Sequence, residues 1–328
     1  MTTTNFWQKL KKPFTALAPM DDVTDVVFRE LVAETAKPDV LFTEFASAEG
    51  LLRNPAKVEL KTQLTPNQHP IVAQIWGTDP ESFTHAARRI HQLGFDGIDI
   101  NMSCPARAVM AKGAGAALTG NIALAQKLID AVKKGAENMP ISVKSRLTKN
   151  PQDMQNWLEF LLNQKLAAIT LHARTAKEMS KVVAHWEELG KLIKLRDEIS
   201  PQTLIIGNGD VKSLEEVQKK YEHYGVDGIM IGRGIFNNPW IFDPKQKVHQ
   251  TNDYIQLLLK HNEMYYQRYG DTPRFETLKK FFKMYVTGFR GADELRQKLM
   301  LCKNYKQVND TIAQWNFPPI KKQLQPKS

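Results

Sequence analysis

The sequence has 328 residues, of which 42% are hydrophobic and 24% charged, a composition typical of a folded globular protein with one large domain or two ordinary ones. Its two cysteines, and the lack of a secretory leader or an apolar run of about 18 residues, exclude a disulfide scaffold and a membrane span, so we expect a reduced, cytoplasmic protein. The net charge of +10 suggests a polyanionic partner such as nucleic acid, although an ordinary solvated surface would give the same balance, and the cysteine spacing predicts no metal site.

Eight short apolar runs alternate with helical segments over the first two thirds of the chain. The runs predict strands at residues 14–20, 40–45, 70–76, 97–102, 140–146, 167–174, 204–210 and 228–233, with helices such as 79–93, 122–136 and 213–224 between them. Eight such units in about 240 residues are typical of a TIM barrel. We predict an α/β fold, a (β/α)8 TIM barrel, because polar residues end nearly every strand and a barrel brings all strand ends to one mouth. An open doubly wound sheet is the alternative.

After residue 244 the strand pattern stops. Segments 253–269, 275–287 and 292–303 have Leu, Phe, Met and Tyr at helical spacing and predict a small all-helical C-terminal domain. We place the two domains at residues 1–246 and 247–328. Residues 251–328 contain 14 basic and 7 acidic side chains, a net charge of +7, so the helical domain carries most of the positive excess.

Glycine-containing turns end the last two predicted strands. Asn208-Gly209-Asp210 ends the seventh, and Gly232-Arg233 ends the eighth. Barrel enzymes often bind phosphate with these two loops, where glycine lets the backbone approach the anion. Either signal alone is also a common turn, but the two together favour a phosphorylated ligand.

Polar side chains on the middle strands predict a hydrogen-bonding floor at the same mouth. Gln74, Asn101, Lys144 and His172 can bind the ring atoms of a heteroaromatic ligand. Each of the uncharged three could instead be an internally satisfied polar residue of a barrel layer.

Two cysteines have different predicted roles. Cys104 follows the fourth strand and precedes a segment at 106–118 rich in alanine and glycine, which we interpret as a mobile loop. A thiol here could act as a nucleophile or as a proton donor. With the ordinary pKa of about 8.5 it is mostly protonated at pH 7 and can act as a general acid, whereas a nucleophile needs a base partner and no histidine lies nearby in sequence. Cys302 is predicted to be a small buried hydrophobic residue.

The segments that carry these residues resemble the flavin-dependent tRNA-dihydrouridine synthases. They are APMDDVTDVVFR at 18–29, AQIWG at 73–77, GIDINMSCPARAVMAKGAGAAL at 97–118, VKSR at 143–146, LHART at 171–175, IGNGDV at 206–211, IMIGRGIFNNPWIF at 229–242 and FKMYVTGFRGADELRQKL at 282–299. The Asn-x-x-Cys-Pro block with its trailing Gly-x-Gly is highly specific. Ser103 stands where the family usually has glycine, and Ala173 replaces the glycine of its usual His-Gly-Arg.

The resemblance implies an FMN enzyme that reduces the C5=C6 bond of specific tRNA uridines to 5,6-dihydrouridine. Hydride would pass from reduced FMN to C6 and a proton from Cys104 to C5, with NADPH or NADH as the reductant. Residues that would bind FMN by position are Pro19, Met20, Asp21, Gln74, Lys144, His172, Asn208, Gly209, Asp210, Gly232 and Arg233. Residues that would contact RNA are Asn101 and Arg146 at the uridine and Lys279, Lys283 and Arg296 on the helical domain. The family expectation is a monomer that flips the uridine out of the folded tRNA.

Two other functions stay open at this point. One is an FMN barrel oxidoreductase acting on a free pyrimidine, like a dihydroorotate dehydrogenase, although a free pyrimidine needs no basic helical domain. The other is a catalytically silent RNA-binding protein, which the presence of Cys104, Lys144 and His172 disfavours.

Overall fold

The computed structural model describes residues 5–317, and its eight strands close into a barrel. The strands are β1 (Phe14–Leu17), β2 (Val40–Ser47), β3 (Ile71–Trp76), β4 (Gly97–Met102), β5 (Ile141–Leu147), β6 (Ala168–Thr175), β7 (Leu204–Asn208) and β8 (Gly228–Ile231). Each pairs in parallel with the next, and β1 closes against β8 with Leu17 opposite Ile231. The predicted barrel is confirmed, and the open sheet is wrong.

Three strands end earlier than predicted. The last barrel hydrogen bond of β1 runs from the N–H of Ala18 to the carbonyl of Ile231 at 2.8 Å, and the next residue, Pro19, has no N–H to continue the ladder. β7 and β8 likewise end at Asn208 and Ile231. The polar residues that follow therefore lie beyond the strand ends, outside the sheet.

Helices surround the barrel, and the three predicted between strands are confirmed. The helices of this unit are α1 (Val26–Thr35), α2 (Ala48–Arg53), α3 (Pro55–Val58), α4 (Pro80–Gln92), α5 (Arg107–Met110), α6 (Ile122–Gly135), α7 (Pro151–Asn163), α8 (Glu187–Ile199) and α9 (Leu214–Tyr224). Several begin at a side chain that caps the first N–H groups, as Asp79 does for α4 and Ser213 for α9. Short 3-10 helices occupy Phe6–Lys9, Glu59–Thr62, Pro66–Gln68, Gly115–Gly120 and Arg233–Phe236.

The segment at 106–118, expected to be a loop, contains α5 and the start of a 3-10 helix. Ala114, Ala116 and Leu118 are buried, and the N–H of Ala116 donates to the carbonyl of Cys104 at 3.0 Å. Gly115 has a φ of 60°, and a Cβ there would lie 2.7 Å from that same carbonyl. The small residues of this segment thus serve close packing against Cys104.

The barrel interior is apolar on one side and polar on the other. Phe14, Phe42, Ile206 and Met230 belong to one buried apolar cluster, and Trp7 of the N-terminal 3-10 helix packs into it. Inward positions of β3 to β6 instead carry buried polar side chains, which are Gln74, Asp99, Asn101, Ser142, Lys144 and Thr170. The mouth can therefore draw on polar groups held rigidly by strands.

The chain divides into two compact units, Met1–Lys245 and Gln246–Ser328. Helices of the second unit are α10 (Thr251–Tyr269), α11 (Phe275–Leu278), α12 (Phe282–Tyr285), α13 (Ala292–Leu301) and α14 (Tyr305–Ala313), with a 3-10 turn at Lys279–Phe281. The second unit contains no strand in its described part, as predicted, but α14 was not predicted. Cys302 is buried, as expected. Among residues 5–317, no helix is long and apolar enough to cross a bilayer.

Candidate active site

A cavity of about 430 Å³ lies at the carboxyl ends of β1, β5, β6, β7 and β8. Its walls are Ala18, Pro19, Met20, Lys144, Arg146, His172, Arg174, Asn208, Gly209, Asp210, Val211, Lys212, Met230, Gly232, Arg233, Gly234 and Asn237. Five of these residues are basic and one, Asp210, is acidic. The cavity is therefore suited to an anionic ligand.

Most of the residues predicted to bind a cofactor meet in this cavity. They are Pro19, Met20, Lys144, His172, Asn208, Gly209, Asp210, Gly232 and Arg233, joined by Arg146. Asp21, Gln74, Asn101 and Cys104 are not among the residues that line it.

Lys144 and Arg146 are buried cations on the cavity wall. Within the described chain, neither has a carboxylate within 4.0 Å. Lys144 Nζ donates to Ser103 Oγ at 3.2 Å, and Arg146 Nε donates to the Ser103 carbonyl at 2.5 Å. Burial, and then the neighbouring Arg146, lowers the pKa of Lys144 to about 7, and burial lowers the pKa of Arg146 to about 10. A buried cation without a counter-charge is unfavourable, so these residues fit an anionic group such as a flavin ring or phosphate.

His172 is held neutral between cations. Burial, and then the charges of Lys144 and Arg146, lowers its pKa to about 2. Its Nε2 lies 3.3 Å from Nη1 of Arg174, which can only donate. Nε2 is therefore the acceptor in this pair, and Nδ1 carries the proton that the ring can donate.

Asp210 anchors the segment that follows β6. Its carboxylate accepts from Arg174 Nη2 and, at 3.0 Å, from the N–H of Ala184, while Arg233 Nη2 lies 3.8 Å away. Burial alone would raise the pKa of Asp210, but the hydrogen bonds from Arg174 and Ala184 hold it below its usual value. This carboxylate is thus ionised and engaged by the protein itself.

Asp21 lies at a different corner of the mouth. Its carboxylate pairs with Lys61, and the N–H of Asp22 donates to Glu44 Oε1 at 2.7 Å. The carboxylates of Asp21, Asp22 and Glu44 lie within 4.8 Å of one another, and Lys61 supplies positive charge to this group. Asp21 is therefore committed to an ion pair and does not line the cavity.

Cys104 is partly buried beside the cavity wall. Its N–H donates to Asn101 Oδ1 at 2.9 Å, and its neighbour Ser103 binds both Lys144 and Arg146. Burial raises the pKa of the Cys104 thiol, so the thiol is protonated at neutral pH. This state is the one a proton donor needs.

Gln74 and Asn101 are bound chiefly to one another and to the protein. Asn101 Nδ2 donates to Gln74 Oε1 at 2.8 Å, and Gln74 Nε2 donates to Asp99 Oδ2 at 2.6 Å. Both are buried, and both amide atoms of Gln74 are bonded to the protein, which matches the alternative of an internally satisfied residue, whereas Asn101 Nδ2 uses one of its two N–H groups.

The three RNA contacts predicted on the helical domain, Lys279, Lys283 and Arg296, lie around a separate cavity of about 730 Å³. Lys279 pairs with Glu276 at 2.9 Å, and Arg296 pairs with Asp293 and donates to the carbonyl of Val286. Lys283 is exposed and makes no ion pair within the described chain. It is therefore the most available cation of the three predicted contacts.

Sequence reasoning missed Arg174 and Asp99. Each lies two residues from a predicted site residue on the same strand, His172 and Asn101 respectively, so strand alternation places each pair on one face. A charged residue inside an apolar strand was the available signal.

A closed parallel barrel with a basic, polar cavity at the carboxyl ends of its strands defines an enzyme of the (β/α)8 class. The profile of the dihydrouridine synthase (Dus) family matches residues 16–318. The chain belongs to this family and is a flavin-dependent oxidoreductase.

Two relatives show how fully the chain matches. It is 44% identical to a probable tRNA-dihydrouridine synthase 2 of Bacillus subtilis strain 168, over 93% of this chain and 95% of that protein. It is also 44% identical to a probable tRNA-dihydrouridine synthase of Staphylococcus aureus strain Mu50, over 90% and 91%. Among solved structures, morphinone reductase is similar with a TM-score of 0.50 and 12% identity, over 73% of this chain and 87% of that one, a likeness of fold.

Proposed function

We propose that the chain reduces the C5=C6 bond of specific uridines in tRNA to 5,6-dihydrouridine, with FMN in the barrel cavity. The observation that carries the proposal is the pair of buried cations, Lys144 and Arg146, on the wall of this cavity and both bonded to Ser103, next to the protonated Cys104. An anionic cofactor on one side and a proton donor beside it are what the reaction requires. The names of the relatives support uridine in tRNA as the substrate.

The cavity residues fit FMN in their chemistry. A reduced flavin supplies hydride to an electron-poor double bond, here to C6 of the uracil. Lys144 would place positive charge against the ring, and neutral His172 would donate from Nδ1. Arg233, exposed beside the Gly232 turn, would bind the phosphate. Pro19 and Met20 would provide an apolar wall.

Cys104 would hold the proton that C5 of the uracil receives. Its raised pKa keeps this proton on the thiol until the substrate is bound. Arg146, fixed through the Ser103 carbonyl, would stabilise negative charge on the uracil O4 as the ring is reduced. Asn101 sets the backbone of Cys104 and would contact the uridine with its second amide N–H.

The helical unit would bind tRNA. Its net charge of +7 over residues 251–328 supports contacts to phosphates, with Lys279, Lys283 and Arg296 as candidates. We further propose that the protein acts as a monomer in the cytoplasm, where its tRNA substrate is found, and that NADPH or NADH reduces the flavin.

The test begins with a visible absorption spectrum of the purified protein, followed by incubation with unmodified tRNA and NADPH or NADH. Mass spectrometry of the RNA should show a gain of about 2 Da on a specific uridine, the mass of the two hydrogens added. Cys104→Ala should abolish this product, and Cys302→Ala, which changes the buried cysteine of the helical unit, should retain it.

Other results would support other functions. A flavin spectrum without any RNA product would favour an oxidoreductase for a free pyrimidine. A colourless protein that binds tRNA would favour a silent RNA-binding protein. A product formed equally well by Cys104→Ala would contradict the role given to this thiol.

A further inference from the structure

A series of hydrogen bonds links buried side chains through the polar side of the barrel. Ser142 Oγ donates to Asp99 Oδ1 at 2.6 Å, and Gln74 Nε2 donates to Asp99 Oδ2, also at 2.6 Å. Asn101 Nδ2 then donates to Gln74 Oε1 at 2.8 Å. All four residues are less than 5% exposed, so bulk water cannot replace these hydrogen bonds.

The series of hydrogen bonds ends on the backbone of Cys104. Asn101 Oδ1 accepts from the N–H of Ser103 at 3.0 Å and from the N–H of Cys104 at 2.9 Å. These two bonds hold the turn by which the backbone leaves β4 after Met102. The position of the Cys104 side chain therefore depends on which way the Asn101 amide faces.

Asp99 fixes that direction. An ionised carboxylate only accepts hydrogen bonds, so the Gln74 amide must face it with nitrogen, and its oxygen must face Asn101. Asn101 must then present its nitrogen to Gln74 and its oxygen to the two N–H groups. Reversing either amide would set oxygen against oxygen at Asp99, or nitrogen against the backbone N–H groups.

We propose that Asp99 is a positioning residue for Cys104: its carboxylate orients the Gln74 and Asn101 amides, and through them it fixes the turn that carries the thiol. Burial raises the pKa of Asp99 to about 6, while Ser142, Gln74 and Lys144 oppose this shift, so the carboxylate remains mostly ionised at pH 7. The consequence for catalysis rests on the proposed function. The placement of the thiol does not.

Two substitutions of Asp99 separate its effect on the orientation of the amides from the effect of its charge. Asp99→Leu removes the acceptor. Asp99→Asn can still accept from Gln74 with its oxygen, while its amide nitrogen donates to the hydroxyl of Ser142, which can accept as well as donate. Gln74→Leu interrupts the series of hydrogen bonds one step closer to Cys104, and it decides the question if Asp99→Leu does not fold. Thr170→Val is the matched control. This buried hydroxyl has no hydrogen-bond partner in the described structure and takes no part in the series of hydrogen bonds from Ser142 to Asn101.

The measurement is the rate at which iodoacetamide alkylates Cys104, followed by mass spectrometry across the pH range in which thiols titrate. The Cys302 peptide of the same sample is the internal reference. In Asp99→Leu and Gln74→Leu, a released turn exposes the thiol and returns its pKa to the ordinary value, so we expect alkylation about tenfold faster. Asp99→Asn and Thr170→Val should stay within about twofold of the original rate.

A second readout connects the thiol to the reaction. In Asp99→Leu, kcat for dihydrouridine formation should fall about tenfold while the KM for tRNA changes by less than about twofold, because only the proton donor is displaced. Asp99→Asn should recover kcat.

Two results would overturn the proposal. One is a folded Asp99→Leu or Gln74→Leu protein with the original alkylation rate. The other is an Asp99→Asn protein whose alkylation rate changes as much as that of Asp99→Leu. This result would show that the charge of Asp99 acts on the thiol and that the orientation of the amides does not. If the unmodified protein forms no dihydrouridine, the proposed function fails, but the alkylation rates still decide the role of Asp99.

Discussion

Lys144 lies where the barrel gives its charge no carboxylate partner within the described residues. Burial and the nearby charge of Arg146 lower its pKa, the attraction of Asp99 offsets them only in part, and the pKa falls to about 7. Such a residue destabilises the protein when no ligand is bound, and an anionic ligand supplies the missing counter-charge. The same reasoning explains why site residues can be poor contributors to stability.

Lys144→Met should stabilise the flavin-free protein at pH 7 by about 1–3 kcal/mol, since it removes a buried charge and keeps the volume. Between pH 7 and 9 the unfolded chain keeps a proton on Lys144 that the folded chain has released, so the free energy of unfolding should rise with pH. The variant should lose this part of the rise, and it should bind FMN at least about tenfold more weakly. Urea titrations at several pH values and flavin fluorescence test both effects. Equal pH slopes for the two proteins would contradict the burial argument.

At the scale of an element, one ion pair ties the segment after β6 to the loop after β7. Arg174 is only 2% exposed, and it donates to the Val182 carbonyl at 2.7 Å while it pairs with Asp210. Asp210 also holds the N–H of Ala184. The exposed Val183 between these anchors is thus held at both sides by a buried arginine and its carboxylate.

Two aspartates of the mouth should respond differently to the same substitution. Asp210→Asn leaves the buried Arg174 without its counter-charge and should lower the free energy of unfolding by about 2–4 kcal/mol. Asn also tolerates the φ of 51° at this position, so the loss reports on charge. Asp21→Asn breaks an exposed pair with Lys61 and should cost less than about 1 kcal/mol. Urea unfolding of the full chain measures both, and equal losses would contradict the contrast in burial.

At the scale of the whole molecule, charge is divided unequally between the two units. Residues 251–328 carry +7 of the net +10, so electrostatic attraction to a polyanion should come mainly from the helical unit. Much of the basic surface there is locally neutralised, as Lys298 is by Glu294 and Lys306 by Asp310. The number of charges available to RNA is therefore smaller than the composition suggests.

Lys283→Gln should weaken tRNA binding about three- to tenfold and lower the slope of log affinity against log salt by about one, because one phosphate contact is lost. Lys219→Gln is the control: this exposed lysine lies on α9 of the barrel unit and pairs with Glu215 at 2.5 Å. Filter binding at several salt concentrations measures affinity and slope. A salt slope unchanged in Lys283→Gln, or lowered equally in Lys219→Gln, would argue against this contact.

The sequence predicted the strands better than the roles of residues on them. Continuous apolar runs identify strands buried on both faces, and the barrel follows from their number. The sequence could place Gln74 and Asn101 at one mouth, but whether an amide faces a ligand or another amide depends on distances between strands. Glycine and alanine at 106–118 suggested mobility because composition cannot distinguish a flexible segment from one packed closely against Cys104. Helix α14 was overlooked, although Tyr305, Val308 and Ile312 are buried at helical spacing along it.

The packing of Trp7 into the apolar cluster of the barrel also bears on the order in which the protein can fold during synthesis. Trp7 packs against Phe14 and Phe42, with ring centroids 5.8 and 6.3 Å apart, and β1 finds its second partner only in β8, where Leu17 meets Ile231. During synthesis, the barrel around this aromatic cluster stays open until β8, more than two hundred residues later in the sequence, has been synthesised and can pair with β1. Contacts so distant in sequence form slowly and leave apolar surface open meanwhile. The nascent chain should therefore be most dependent on chaperones just before β8 leaves the ribosome.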